Sequence, residues 1–305
     1  MDVRLGINTC FAVKRWPRPV DWGPIVRDHL RLRLVQHTLD LVDLSVDSDE
    51  IERQAKDVTR AAEDLDLEVA STFTGLAAYS SNLLLAPDAE VRAASRAWYT
   101  TAIRFTATIG AQIAGGHVGA FSVHDWNDPV ARADRWSDLK ESLAVLSAIA
   151  SESGLEALVV ENLAAAREPS TMAMVADLLT SAGDGHVPIR ACIDVGHMCV
   201  PGTEGEDRDP YAWLRHLGAH APIVQLQQSD AMGDHHWPFT PAHDVAGRID
   251  PDRVLAALVE SGARRTDLIL EVIPPFEQED DAVLEDLVVS VDRWREALTR
   301  GGFAA

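Results

Sequence analysis

Eight short apolar runs, each trailed by a longer stretch of helical spacing, occupy this 305-residue chain and predict an α/β fold, a single (β/α)8 barrel. The runs are Val3–Thr9, Leu34–Thr38, Leu67–Phe73, Ala111–His117, Leu155–Glu161, Ile189–Asp194, Ile223–Gln228 and Leu268–Ile273. Most are continuously apolar rather than alternating, the pattern of parallel strands buried on both faces. The main rival is an open, doubly wound sheet. No Gly-x-Gly-x-x-Gly follows the first run, which counts against that fold as a dinucleotide binder. No linker, low-complexity tract or charge block divides the chain, so residues 1–305 read as one domain.

The helical stretches follow the same logic. Ile51, Ala55, Val58, Ala62 and Leu65 share one helical face, with charges on the other. Asp250-Pro251 is an N-cap followed by proline at the first helical position, opening a helix over Pro251–Ser261. Glu90–Ile109, Trp136–Ser151, Thr171–Ser181 and Asp281–Leu298 carry similar spacing.

Charge narrows the function classes. Lys and Arg number 27 against 48 Asp and Glu, a net charge of −21, whereas phosphate-backbone affinity comes from clustered Lys and Arg. Nucleic acid is therefore not an expected partner. No apolar run reaches the ~18 residues of a membrane span, and the N-terminus shows no basic-then-apolar leader pattern. Cys10, Cys192 and Cys199 are too few for a disulfide framework and match no zinc-finger spacing, which predicts a reduced, cytoplasmic protein.

In a barrel of this kind the chemistry sits at the C-terminal ends of the strands. Run five closes on Glu161 and run six on Asp194, with His197 three residues on. Run seven closes on Gln227 and Gln228, with Asp230 beyond, and run eight carries Glu271 near its end. One such carboxylate alone would be read as a helix cap or a loop salt bridge. Three of them converging bare would repel one another and lose solvation, and a divalent cation is the simplest compensation. Oxygen donors suit a hard ion such as Mn2+ or Mg2+, with Co2+ or Zn2+ as softer alternatives.

The segments VVEN, IDVGH, VQLQQSD and LILEV resemble the sugar phosphate isomerase/epimerase family, the xylose isomerase-like TIM barrels that include tagatose 3-epimerase-like enzymes. The resemblance spans essentially the whole chain, and Asp-x-Gly-His is its most specific piece. It implies one divalent metal held by Glu161, Asp194, Gln227 and Glu271, with His197 on the substrate, and commonly a homodimer or homotetramer. Many members have a histidine where this chain has Gln227. An amide in place of imidazole would harden the site toward Mn2+ or Mg2+. Gln228 is the weaker alternative, since its side chain should point to the opposite face of the strand.

These parts suit proton abstraction beside a carbonyl, with the metal as Lewis acid on an enediolate and Glu161 and Glu271 as the acid/base pair. Glutamates flanking one carbon from opposite faces would give epimerisation; protons moved between neighbouring carbons would give aldose–ketose isomerisation. NTCFAVKRWP, STFTGLAAYSSN and LQQSDAMGDHHWPFT resemble the tetrulose-phosphate branch of the family, which belongs to erythritol catabolism and acts at C3 of a short ketose phosphate. His37 and His117 close runs two and four and are candidates for holding the sugar, with the core as their other placement. His235, His236 and Trp237 fall on a loop over the mouth, where a solvated loop is the alternative and Trp237 would be an apolar wall. Lys14, beside Arg15, is a candidate for a phosphate group. Lys56 and Lys140 read as solvated helix residues. A hydroxypyruvate isomerase-like enzyme, a keto-inositol dehydratase-like lyase and a non-catalytic metabolite-binding barrel are the competing readings.

Overall fold

Parallel neighbours cannot be joined by a tight turn, so each strand needs a long crossover, and a helix supplies one while satisfying its own backbone. Repeating that unit eight times closes the sheet on itself in a computed structural model that describes residues 1–304. The strands are β1 (Asp2–Asn8), β2 (Leu34–Thr38), β3 (Glu68–Phe73), β4 (Ile113–Gly116), β5 (Ala157–Glu161), β6 (Ile189–Asp194), β7 (Ile223–Leu226) and β8 (Arg265–Leu270). They pair in chain order, all parallel, with β8 returning to β1. The principal crossover helices are α1 (Pro19–Pro24), α2 (Ser48–Leu65), α3 (Ala89–Thr108), α4 (Pro129–Glu152), α5 (Met172–Leu178), α6 (Pro210–Leu217), α7 (Pro251–Glu260) and α8 (Asp280–Arg300). Among the described residues no helix is long and apolar enough to cross a membrane.

Several boundaries differ from the sequence reading for identifiable reasons. Helix α4 starts at Pro129, well before Trp136, because Asp128 caps it and proline occupies its first position. This is the same Asp-Pro signal that opens α7 at Pro251. Strand β8 starts at Arg265 rather than Leu268. Its polar first residues pair with Asp2–Arg4, and Arg4 bridges Asp267 at 2.6 Å and Glu68 at 2.7 Å at the bottom of the barrel. Strands β7 and β8 end at Leu226 and Leu270, so Gln227 and Glu271 stand one residue past the last ladder pair, on the rim.

The period of two along each strand sorts the interior into layers. Leu34, Val159, Cys192, Ile223 and Ile269 join Phe73 in an apolar plug inside the barrel. Two residues further along the same strands, Gln36, Glu161, Asp194, Gln225 and Glu271 form a polar tier, joined by Asn8 of β1. The opposite parity faces the helices: Val35, Val160, Ile193, Val224 and Leu268 pack with Trp22, Phe105, Trp213 and Trp294. Gly115 of β4 has φ +152, and a Cβ there would collide with the Val159 carbonyl, so only glycine lets β4 and β5 approach this closely.

Parity also places His37. It lies one residue from Gln36 and so points outward, fully buried with its ring centroid 5.7 Å from that of Trp22 and 6.3 Å from that of Phe105. The sequence expectation of His37 as a sugar-holding candidate is corrected: it is a core histidine, touching Thr9 Oγ1 at 3.4 Å. Burial pulls its pKa down from 6.5 to about 4. Between those two values the unfolded chain binds a proton at this side chain and the folded protein does not, so stability falls as pH drops from 6.5 to 4. The full effect is about 3 kcal/mol. In urea unfolding between pH 7 and pH 4, His37→Gln should show a shallower loss of stability than the parent. Identical pH slopes would show that His37 titrates normally.

Candidate active site

Each carboxylate of the polar tier has one oxygen held and the other bare. Glu161, the last residue of β5, accepts the Tyr79 hydroxyl on Oε2 at 3.1 Å, while Oε1 has no hydrogen-bond partner. Asp194, the last residue of β6, accepts Gly196 N at 2.6 Å and Gln227 Nε2 at 3.0 Å, both on Oδ1, leaving Oδ2 bare. Glu271 accepts Asn8 Nδ2 at 2.8 Å and Gln225 Nε2 at 2.7 Å, both on Oε1, leaving Oε2 bare. Glu161, Asp194 and His197 bring ligand atoms within 4.8 Å of one another, and so do Asp194, His236 and Glu271. Asp194 is the shared corner.

The donors that hold these oxygens are themselves locked. Gln36 Oε1 accepts from both Asn8 Nδ2, at 2.8 Å, and Gln225 Nε2, at 2.9 Å, tying β1, β2 and β7 together under Glu271. Asn162, directly after Glu161, clasps the β6 backbone: its Nδ2 donates to Asp194 O and its Oδ1 accepts Asp194 N. Asn162 O also accepts His197 Nδ1 at 2.8 Å. A Cβ on Gly196 would strike the Gln227 amide, so glycine in the Asp-x-Gly-His turn makes room for Gln227 against Asp194.

Burial dominates the electrostatics. It pushes the Glu161 and Glu271 carboxyls well above the usual range, and Asp194 adds to both, while His197 opposes. Burial alone would depress His197, but Asp194 and Asp234 outweigh it and hold the imidazolium form. His197 Nε2 lies 3.2 Å from Asp234 Oδ1, and His236 Nε2 lies 3.0 Å from the same oxygen. Asp234 is exposed at the mouth, so desolvation opposes its ionisation only in part, and these two histidines hold its carboxyl well below the ordinary range. Two buried clusters that share Asp194, one with Glu161 and one with Glu271, each with a carboxylate oxygen left without a partner, fit a divalent cation, whose charge would reverse the local sign.

A cavity of about 320 Å3 opens onto this tier between Tyr79 and Leu76 on one side and Asp234, His235 and His236 on the other, and it reaches Glu271. Glu161 does not line it; Tyr79, which does, bonds to Glu161.

The other residues singled out in the sequence take varied places. His117 stands one layer back: its ring lies 4.6 Å from that of Tyr79 and its Nε2 3.2 Å from Glu168 Oε1. His235 lines the cavity, bonded to Asp230 at 2.9 Å and stacked on Trp237 at 4.0 Å. Trp237 pairs with Gln228 through both backbone bonds and does not line the cavity; instead of an apolar wall it is a prop behind His235. Gln228 turns away to Asp244 Oδ1 and Ile249 O. Lys14 is exposed and lies 3.9 Å over the Phe276 ring, while Arg15 is engaged by Asp280 and the carbonyls of Pro275 and Phe276. The Lys14-Arg15 pair is thus no ready phosphate clamp: Arg15 instead ties the loop after β1 to the loop after β8.

Sequence reasoning missed Asp234, Asn162 and the Asn8–Gln36–Gln225 tier. The signal for the tier was present as polar residues at every second position inside otherwise apolar runs. Asp234 carried only its position before His235 and His236.

The xylose isomerase-like TIM barrel family model matches residues 34–287. Over 307 aligned residues the chain is 30% identical to the D-erythrulose 1-phosphate 3-epimerase of Brucella abortus (strain 2308), covering 99% of this chain and 98% of that one. A crystal structure of a candidate xylose isomerase from Rhodospirillum rubrum ATCC 11170 superposes with a TM-score of 0.88 at 32% identity, covering 96% of this chain and 99% of that one. The D-psicose 3-epimerase of Clostridium cellulolyticum H10 shares the fold, with a TM-score of 0.69 at 14% identity, over 97% of this chain and 99% of its own. With its family match, its full-length relatives and its closed barrel in agreement, the chain belongs to the xylose isomerase-like TIM barrel family, as one of its isomerase-class enzymes.

Proposed function

We propose that residues 1–305 act as one barrel domain that epimerises C3 of a short ketose or ketose phosphate in the cytoplasm. The substrate class is a tetrulose phosphate such as D-erythrulose 1-phosphate, which the similarity to the Brucella abortus epimerase supports. The observation that carries the reading is the pair of buried glutamates, Glu161 from β5 and Glu271 just past β8. They stand on strands three places apart around the ring, each with one oxygen fixed and one bare, with Asp194 in both clusters. Glutamates arriving from well-separated sides of a barrel can address opposite faces of one carbon, which is the requirement for inverting it.

The residues able to hold the divalent cation, Mn2+ or Mg2+ by oxygen preference, are Glu161, Asp194 and Glu271, with the second lone pair of Gln227 Oε1 at the end of β7 as a fourth donor. When bound, the cation supplies positive charge to stabilise an enediolate. The chain does the proton work. One glutamate, ionised, takes the C3 proton; the other, protonated, returns one to the opposite face. Without a cation, burial raises both carboxyl pKa values above the ordinary range, the direction an acid/base pair of carboxyls needs. His197, fixed between Asn162 O and Asp234, offers positive charge beside Glu161. Lys14 is one exposed rim cation available to a phosphate group.

Proton NMR in D2O, with the Mn2+-loaded enzyme and a panel of tetrulose phosphates and free ketoses, tests the reaction. Deuterium should enter at C3 alone, with the C3 epimer appearing, and EDTA should stop it. Label at C1 or C2 with an aldose product would identify an isomerase instead, and no exchange with any panel member would sink the enediolate mechanism. Glu161→Gln and Glu271→Gln should each lower kcat by about 10²–10⁴. Unchanged turnover in both would remove them from the chemistry.

Gly196→Ala, by driving Gln227 off Asp194, should weaken Mn2+ binding by about tenfold or more in calorimetric titration while the melting temperature moves little. Unaltered affinity would show that Gln227 has no part in shaping the metal centre.

A further inference from the structure

Val195, Gly196 and Met198, in the turn after β6, border a second cavity of about 370 Å3 that shares no lining residue with the one at Glu271. Much of its wall is apolar and fixed: Val195, Met198, Tyr211 and Ile249 are all buried. The Tyr211 hydroxyl donates to Arg248 O at 2.8 Å and accepts Asp250 N at 2.9 Å. Gln228 accepts Ile249 N on Oε1 at 2.9 Å and donates from Nε2 to Ile249 O at 3.1 Å. The segment leading into α7 is thereby held by its backbone, which leaves the Arg248 side chain free.

Three exposed arginines complete the lining: Arg208 from the loop after β6, Arg248 just before α7 and Arg253 in its first turn. Arg208 donates one N–H to Ala231 O at 3.1 Å. The Arg253 guanidinium carbon lies 3.8 Å from the centre of the Tyr211 ring, a stacking contact that leaves the N–H edges open. Among the described residues none of the three is ion-paired with a carboxylate. Asp209, the acid of the lining, is already engaged: Oδ1 accepts Tyr211 N at 3.0 Å and Oδ2 meets Arg215 at 3.2 Å. Three like charges around one concavity repel one another, and a bound anion relieves that repulsion.

Size and chemistry narrow the ligand. A cavity of this volume encloses a small molecule, not a polymer. Planar guanidinium forks match the oxygens of a phosphate, and three cations suit a dianion better than a single carboxylate. The apolar wall suits a carbon body attached to that head. We propose that this pocket, between the loops after β6 and β7, binds a small phosphate monoester, its phosphate on Arg208, Arg248 and Arg253 and its carbon body against Val195, Met198 and Tyr211. Such a site is independent of the metal centre and of the reaction proposed above.

Calorimetric titration of the full chain in EDTA, with phenyl phosphate, inorganic phosphate and phenol as probes, tests the site. EDTA removes any cation that could itself hold phosphate at the barrel mouth. Phenyl phosphate should bind at one site, about tenfold more tightly than inorganic phosphate, and phenol should not bind. Arg248→Gln and Arg253→Gln should each weaken phenyl phosphate about tenfold, and the triple variant with Arg208→Gln should abolish its binding. All three side chains are exposed, so circular dichroism and the melting temperature of the single variants should match the parent. Lys14→Gln, outside this pocket, should bind as the parent does. Parent affinity retained in both single variants, or affinity lost in Lys14→Gln instead, would place the phosphate elsewhere and overturn the assignment. Inorganic phosphate binding as tightly as phenyl phosphate, or no binding of phenyl phosphate by the parent, would overturn it as well.

Discussion

Three buried carboxylates sharing one end of a closed barrel is the constraint on which this structure turns. Each loses hydration, and each raises the cost of ionising its neighbours. Glu161, Asp194 and Glu271 each have one oxygen hydrogen-bonded and the other left without a partner. Much of the local architecture serves the held oxygens: the Asn8–Gln36–Gln225 amides beneath Glu271, Gly196 under Gln227 and Asn162 clasping the β6 backbone.

The charge at the barrel mouth is separate from the charge of the surface. Much of the −21 sits on and around helices such as α2, where Glu50 and Asp57 flank Arg53 and Glu52 pairs with Lys56. With a screening length of about 8 Å, those groups contribute little field at the mouth. Global acidity opposes a polyanion that must lie along the surface, but it does not oppose a small anion entering a cavity whose local charge is set by nearby groups such as His197.

The barrel was legible because a parallel sheet covered on both faces leaves near-continuous apolar runs, and eight of them with helical spacing between have few other solutions. The carboxylates were legible because each closes, or nearly closes, such a run. His37 was misplaced by treating the end of a strand as a position without a face; counting by twos from Leu34 puts Gln36 inward and His37 outward. The loop after β7 was the least legible. Asp234, His235 and His236 are consecutive, yet His236 turns toward Asp194 and Glu271, His235 onto Trp237, and Asp234 bridges two histidines. That sorting depends on the left-handed backbone at His236, which no periodicity announces.

The two glutamates are chemically alike but mechanically different. Glu271 is held by amides from β1 and β7, rooted in the barrel and cross-linked through Gln36, so its bound oxygen moves only if the sheet moves. Glu161 is held by Tyr79, whose phenol comes from the short 3-10 segment Leu76–Ser80 in the loop after β3, with His117 against its ring. The cavity meets Glu271 directly but reaches Glu161 only past Tyr79. A substrate carbon placed between the two must displace Tyr79 or accept its hydroxyl as a neighbour. The hold on Glu161 therefore depends on a loop residue, while Glu271 is anchored in the sheet. Under the proposed epimerisation, such a pair would have one member preset by the fold and one set by the ligand.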